Sequence, residues 1–221
     1  MIRYLPHGFE RDGKDGRGRL FGAGTSQGAA GMLKGFSRPA FQNFALVTLA
    51  NFLFFCNFSS FFLLPLYIKS LGGNGADIGF VMGTFGITSL GAIPFVAFLV
   101  DRYGRRRFLI IGYALMFVTS LSYLLVSEIS PLLYALRLLQ GVSFAFSFTA
   151  AGTFVTDYIP PERRAEGLGI FSAFTIASYA IGPSLGEFLI GLAGFKAFFL
   201  SVSFFSLASL VLSLFARDGR F

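Results

Sequence analysis

The chain has 221 residues, of which 54% are hydrophobic and only 13% are charged. This composition excludes an ordinary soluble domain, and several charge-free runs of about 20 residues predict a polytopic membrane protein. The formal net charge is +7, but the basic residues lie in short segments between apolar runs, which excludes a nucleic-acid-binding face. A single cysteine and a single histidine exclude internal disulfides and thiolate or histidine clusters, so we expect no metal and no cofactor.

The first 38 residues are polar, glycine-rich and basic. This composition is typical of a disordered segment, and we predict a basic cytoplasmic tail over 1–38. An alternative hypothesis is that Met32 is the true start of the protein. N-terminal sequencing of the mature protein distinguishes the two.

Six apolar stretches follow, and each is long enough to cross a hydrocarbon core of about 30 Å as a helix. The predicted spans are 41–67, 78–100, 108–127, 132–156, 167–192 and 197–216. Fifteen of the 18 lysines and arginines lie in the two terminal segments and in the 2–3 and 4–5 loops, whereas the opposite loops hold only Lys69 and Lys196. Because such an excess marks the cytoplasmic side, we predict that both termini are cytoplasmic. Residues 39–216 would form the membrane domain and 217–221 a short cytoplasmic end.

Two residues inside the predicted spans ionise by default, Arg137 in span 4 and Glu187 in span 5. A mid-helix arginine raises the free energy of insertion by about 2.5–3.5 kcal/mol, so an intramembrane charge is a candidate functional residue. Both lie at a similar depth and could pair across neighbouring helices. The structural alternatives are that Arg137 extends to the membrane surface and that Glu187 is a plain interfacial carboxylate.

Four short motifs lie at the ends of these spans or within them. They are Asp101-Arg-Tyr-Gly104-Arg105-Arg106 between spans 2 and 3, Arg137-Leu-Leu-Gln-Gly141 in span 4, Asp157-Tyr-Ile-Pro-Pro-Glu-Arg163 after span 4, and Gly182-Pro183-Ser-Leu-Gly186 in span 5. In this order and on these membrane faces they resemble the major facilitator superfamily of secondary transporters, and in particular its drug and sugar efflux branch. In the family the first motif begins four residues before the Asp with a Gly, where this chain has Ala97. The last motif of the family ends with a second Gly, where this chain has Glu187.

The resemblance implies an all-α membrane fold in which six transmembrane helices form a 3+3 inverted-repeat bundle, half of a twelve-helix transporter. Spacing from Pro94 to Gly104 and from Pro183 to Gly194 gives a weak internal repeat in the same sense. A full family member is about twice as long as this chain. We expect a fragment or truncated gene; pairing with a second half or with another copy is the alternative.

The resemblance also implies roles for individual residues. Arg137 would take part in proton coupling, and Glu187 would supply a second titratable group. The polar and aromatic faces of spans 1 and 4 would line the substrate cavity with Asn51, Asn57, Gln140, Phe144 and Ser147. The expected gating loops contain Asp101, Arg102, Gly104, Arg105, Arg106, Asp157 and Arg163. The expected helix-packing residues are Gly141, Gly182, Pro183 and Gly186.

The resulting interpretation is transport of a small molecule by alternating access, with proton-coupled efflux as the preferred direction. Proton-coupled uptake of a metabolite and a non-transporting accessory or receptor-like subunit are the alternatives. A membrane enzyme is not expected, because no carboxylate pair, histidine cluster or serine site lies at one depth. The expected partners are membrane lipid, a small-molecule substrate, protons and a second six-helix half. The expected location is the plasma membrane, or the inner membrane of a Gram-negative cell.

Overall fold

The computed structural model describes residues 38–216, which form helices joined by short turns. The α-helices are α1 (Arg38–Ser60), α2 (Leu64–Ser70), α3 (Gly75–Tyr103), α4 (Arg105–Ser122), α5 (Pro131–Thr156) and α6 (Arg164–Phe215). The predicted tail up to residue 37, its alternative start at Met32 and the predicted end at 217–221 lie outside the described residues.

Five helical stretches of the described chain are long and apolar enough to cross a membrane. The first joins α1 and α2 over Arg38–Ser70, and the last runs over Pro161–Phe215 with 55 residues. At 1.5 Å per residue, a straight helix of that length would measure about 80 Å, far more than a hydrocarbon core of about 30 Å. The last stretch is therefore long enough for two spans.

Gly194 divides that last stretch into two. Its φ of 76° and ψ of −175° are not helical, and this conformation is open essentially to glycine alone. Gly182, before the break, lies against Cys56 of α1, and the Val202 carbonyl, after the break, accepts a 2.7 Å hydrogen bond from Asn57 of the same helix. Since both sides of the break meet one stretch of α1, the chain folds back at Gly194. We call the two segments α6N (residues 164–193) and α6C (residues 195–215).

The helices pack in a pattern with internal symmetry. α1 packs against both segments of α6, α5 packs against α3 and α4, and α4 packs against α6. In order along the chain, α1 is span 1 and packs against spans 5 and 6, while α5 is span 4 and packs against spans 2 and 3. The two sets of contacts are therefore exchanged when the first three spans are exchanged with the last three. This is the arrangement expected of two three-helix units related by a pseudo-twofold axis in the membrane plane.

The interior contains two buried apolar clusters with polar side chains between them. One buried cluster includes Phe54, Tyr113 and Met116; a second includes Phe61 and Phe199. Buried polar side chains separate the clusters along the same helices, namely Asn57 on α1, Ser120 on α4, and Arg137 and Gln140 on α5. Buried polar groups are stable in such a core only where they find partners.

Candidate functional site

Arg137 is enclosed by protein near the N-terminal end of α5. Only 3% of its surface is exposed, so the side chain does not extend to the membrane surface. Its Nη1 donates to Gln140 Oε1 at 3.0 Å and its Nη2 to the Met82 sulfur at 2.7 Å. The guanidinium also lies 5.7 Å from the ring centre of Phe61 and 5.6 Å from that of Phe85. These are distances at which a ring face attracts a cation.

The charge of Arg137 has no carboxylate partner among residues 38–216. The two ion pairs of that part of the chain join Arg105 to Asp157 and Arg163 to Glu166. Glu187 does not compensate Arg137, because it lies exposed on α6N. The two intramembrane charges, which could pair by their depth, therefore do not pair in this structure.

Gln140 holds the arginine in place. Its Oε1 accepts from Arg137 and also from the Tyr123 hydroxyl at 3.1 Å. Two buried donors at this point, Arg137 Nε and Gln140 Nε2, have no acceptor in the described part of the chain. They border a narrow gap lined by Phe58, Phe61, Phe85, Met116, Arg137 and Gln140. The gap is too small to hold a water molecule, so an acceptor reaches these two donors only if the surrounding side chains move apart.

An aromatic surface adjoins the arginine. It consists of Phe55, Phe58, Phe62, Phe85, Phe144, Phe148 and Tyr179, drawn from α1, the turn that follows it, α3, α5 and α6N. Phe144 lies at its centre, 4.7 Å from the ring of Phe58 and 5.4 Å from the stacked ring of Phe148. Phe62, Phe148 and Tyr179 remain 49%, 50% and 40% exposed. This aromatic surface can bind flat apolar molecules by ring stacking.

The other three polar residues expected in a cavity lie in helix contacts. Asn51 donates to Thr175 Oγ1 of α6N at 2.8 Å. Asn57 donates to Ser120 of α4 and to the Val202 carbonyl of α6C, and Ser147 lies against Gly112 of α4. The structure therefore brings Arg137, Gln140 and the aromatic surface together, while Asn51, Asn57 and Ser147 join neighbouring helices.

The glycines of the α5 and α6N motifs permit close helix packing. A Cβ at Gly141 would lie 2.8 Å from Thr88 Cβ and 3.0 Å from the Phe85 carbonyl of α3, and one at Gly182 would lie 2.5 Å from the Cys56 carbonyl of α1. Gly186 similarly meets Leu63 and Phe198. Pro183 lies one residue after Gly182 inside α6N, where it removes a backbone donor from the helix.

The charged loops follow the C-terminal ends of α3 and α5, at the end of the bundle away from Arg137. Gly104 forms the one-residue corner between α3 and α4 with φ of 99°. From the start of α4, Arg105 pairs with Asp157 and donates to the Thr153 carbonyl at 3.1 Å, while Arg106 donates to the Leu214 carbonyl at 2.9 Å. Asp101 and Arg102 remain exposed. Arg105 thus pairs with Asp157 after α5, rather than with Asp101 of its own loop.

The sequence profile of the Major Facilitator Superfamily matches residues 46–220. The chain belongs to this superfamily. Multidrug resistance protein 2 of Bacillus subtilis (strain 168) is 31% identical over 153 residues, covering 69% of this chain and 38% of that protein. Quinolone resistance protein NorA of Staphylococcus aureus (strain MRSA252) is 26% identical over 151 residues, covering 63% and 39%.

A solved structure of the superfamily has the same fold. It is a bacterial homologue of the human lysosomal transporter Spinster, in an inward-facing and unoccupied conformation, with a TM-score of 0.66 and 18% identity over 83% of this chain and 44% of that one. The predicted all-α membrane fold, corresponding to half of a superfamily member, is therefore confirmed. The chain spans about two fifths of the length of the curated relatives that it matches.

Membership of the superfamily agrees with the motifs, but the sequence does not indicate four of the residues around Arg137. Tyr123, Met82, Phe61 and Phe85 carry no role in the sequence analysis, yet Tyr123 bonds to Gln140 and the other three lie against the guanidinium. Their contacts bring α3 and α5 together with the turns that follow α1 and α4, so no spacing within one helix indicates them. The only local signal was the cost of burying an arginine, which requires polar partners from somewhere.

Proposed function

We propose that this chain is the N-terminal six-helix half of a transporter that expels small amphipathic molecules by alternating access, driven by the proton gradient. One observation carries the proposal: a buried, uncompensated arginine lies beside an exposed aromatic surface built from four helices. The names of the relatives, which refer to multidrug and quinolone resistance, support export as the direction.

Arg137 is the residue on which coupling would depend. Burying an arginine within a membrane is costly, which makes Arg137 a functional candidate. Its partners in the described chain are a neutral amide oxygen, a sulfur and two ring faces. Such partners stabilise a guanidinium less than a carboxylate does. An anionic group of a substrate, or a carboxylate of a second half, would therefore gain energy on approaching it.

The substrate would bind across the aromatic surface, with Phe144 and Gln140 among its contacts. Flat apolar molecules with a polar group match a site in which rings adjoin spare N–H donors. Asn51, Asn57 and Ser147 would act through helix packing in the state described here, and would contact the substrate only if the helices move apart. Glu187 would provide a second intramembrane charge for coupling.

The charged loops would act as a cytoplasmic latch. In the structure Arg105 and Arg106 tie the start of α4 to the ends of α5 and α6C, while Asp101 and Arg102 are exposed and available to a second half. Arg163 and Glu166 form a further pair at the start of α6N. A carboxylate at Asp101 would favour the N-terminus of a helix of the second half, which carries partial positive charge.

Flux measurements with the complete transporter in proteoliposomes test the proposal. Under an imposed pH gradient we expect Arg137→Ala to reduce transport of a fluorescent aromatic dye to the background rate while the protein remains inserted. Arg107→Ala is the matched control, because Arg107 is exposed at the start of α4; we expect its flux to change less than about twofold. Unchanged flux in Arg137→Ala would remove the coupling role.

The direction and the existence of flux separate the remaining alternatives. Movement of the dye in the same direction as the protons, instead of the opposite direction, would favour proton-coupled uptake. Absence of any flux or counterflow in the unaltered protein, together with a stable complex with another membrane protein, would favour an accessory subunit.

A further inference from the structure

A cavity lies at the end of the bundle where α6 folds back at Gly194. Its volume is about 270 Å³, close to the lower end of the range for small-molecule sites, which is about 300–1,000 Å³. Three parts of the chain line it, namely α2 with Tyr67, the turn after α4 with Tyr123, and the start of α6C with Phe195, Lys196 and Phe199. We call this space the corner cavity.

Aromatic rings form one side of the corner cavity. The ring centre of Tyr67 lies 5.0 Å from that of Phe195 and 4.9 Å from that of Phe199. Tyr123 stacks on Phe199 with 5.3 Å between the ring centres. Both tyrosine hydroxyls donate to other parts of the protein, so this side of the cavity offers a ligand ring surface and no free hydroxyl proton.

Lys196 supplies the charge of the corner cavity. Among the described residues that line the cavity, it is the one with a charged side chain. Lys196 is exposed and forms neither of the two ion pairs found within residues 38–216. A lysine ammonium binds phosphate groups as a compact positive charge. Since a lysine that only marks the membrane boundary needs no cavity beside it, the combination fits a ligand with an anionic group next to an apolar part.

The surroundings of the corner cavity favour a ligand from the membrane over an anion from water. Leu125, Leu192 and Leu200 are 75%, 70% and 54% exposed, and each directly adjoins a lining residue in the sequence. Exposed apolar surface of this kind marks contact with a membrane. Tyrosines are enriched at the depth of lipid headgroups, and Tyr67 and Tyr123 line the cavity. The cavity therefore lies where a headgroup phosphate and the first carbons of its chains come together.

We propose that the corner cavity binds the headgroup of an anionic phospholipid, with the phosphate on Lys196 and the glycerol and upper chain carbons against the rings of Tyr67 and Phe195. The inference goes beyond the proposed function, because the cavity is distinct from the aromatic surface beside Arg137. A lipid would occupy it whether or not the protein transports a substrate.

Tyr123 links the corner cavity to the interior. Its ring lines the cavity, while its hydroxyl donates to Gln140 Oε1 at 3.1 Å. The same oxygen accepts from Arg137. A lipid that fills the cavity would hold the Tyr123 ring in place and with it this hydrogen-bonded group, so we expect the lipid to stabilise the folded protein.

Thermal unfolding of the complete transporter in a non-ionic detergent, followed by circular dichroism, tests the ligand. Dioctanoyl phosphatidylglycerol has both phosphate and chains, dioctanoylglycerol has only the chains, and glycerol 3-phosphate has only the phosphate. A ligand that binds only the folded state raises the unfolding midpoint, and we expect a rise with phosphatidylglycerol alone. An equal rise with glycerol 3-phosphate would show a site for a soluble anion, and an equal rise with dioctanoylglycerol would show an apolar cleft. Either result would overturn the proposal.

A charge variant locates the phosphate. Lys196→Gln should raise the phosphatidylglycerol concentration needed for a half-maximal rise by about tenfold or more, because one hydrogen bond between charged groups is lost. Lys69→Gln is the matched control, since Lys69 is exposed at the same end of the helices and does not line the cavity. We expect a change below about twofold there. Equal effects of the two variants would overturn the role of Lys196.

A filling variant tests the cavity itself. Ala193 lines the corner cavity and is exposed, so Ala193→Phe occupies part of the space without changing the charge. We expect it to weaken phosphatidylglycerol binding about as much as Lys196→Gln does. Unchanged binding in Ala193→Phe would show that the lipid lies on the surface and would overturn the cavity as its site. Because these measurements need no flux, their outcome is independent of the transport proposal.

Discussion

At the level of single residues, the side-chain amide of Gln140 stabilises the buried positive charge of Arg137 by a hydrogen bond. Its oxygen accepts from both Arg137 and Tyr123, so one side chain fixes the guanidinium and links it to α4. A hydrogen bond to a charged group contributes about 1.5–3 kcal/mol, against about 0.5–1.5 kcal/mol for a neutral pair. The two bonds to Gln140 are therefore unequal in strength.

We expect Gln140→Leu to destabilise the protein by about 2 kcal/mol, because Arg137 loses its only oxygen acceptor in the described chain while remaining buried. Tyr123→Phe is the matched comparison: it removes only the neutral bond and should cost about 0.6 kcal/mol, the average for interhelical bonds in membranes. Unfolding of the purified protein in detergent, followed by circular dichroism, measures both. A larger loss for Tyr123→Phe than for Gln140→Leu would contradict this ranking.

At the level of helices, Gly194 breaks the last of five long apolar helical stretches into two, so that the chain has six spans. A positive φ combined with an extended ψ is open essentially to glycine, and other residues lose about 1–3 kcal/mol there. The corner is what lets α6C return along α1 and present the Val202 carbonyl to Asn57. The contact between the two segments and α1 therefore depends on the backbone of a single residue.

Gly194→Ala should consequently destabilise the protein by about 1–3 kcal/mol, through backbone strain and not through a clash, since a Cβ at this position would meet nothing within 4 Å. Gly152→Ala is the control. It also lies in open space, but inside α5, where alanine is favoured over glycine by about 0.5–1 kcal/mol. Thermal unfolding should move in opposite directions for the two variants. Equal shifts would show that the corner tolerates a side chain.

The helices also show which features the sequence could predict. Span positions follow from apolar length and flanking charge, and the predicted 167–192 and 197–216 fall on either side of Gly194 as found. Side-chain contacts between different helices cannot be predicted from apolar length or flanking charge. Arg105 and Asp157 are predicted in two separate gating loops, yet they pair across 52 positions of the chain, because the packing of α4 on α5 brings the two together. Met82 reaches Arg137 in the same way, through the packing of α3 on α5.

At the level of the whole molecule, the distribution of charge should set the orientation in the membrane. At one end of the helices Arg105 pairs with Asp157 and Arg106 donates to the Leu214 carbonyl, whereas the opposite ends carry only Lys69 and Lys196 as basic residues. Because basic residues are retained on the cytoplasmic side, the arginine-rich ends should face the cell interior. All six spans alternate in direction, so one correctly placed loop determines the orientation of the others.

Labelling from outside intact cells tests this orientation in the complete transporter. Cys56 is 1% exposed and is replaced by serine, and new cysteines are introduced by Arg107→Cys and Lys196→Cys at two exposed positions on opposite ends. We expect a membrane-impermeant maleimide to modify position 196 in intact cells and position 107 only after permeabilisation. Each position serves as the control for the other, since permeabilised cells should be labelled at both. Labelling of position 107 in intact cells would show the opposite orientation. The charged loops would then lie on the outer surface, where they could not act as a cytoplasmic gate.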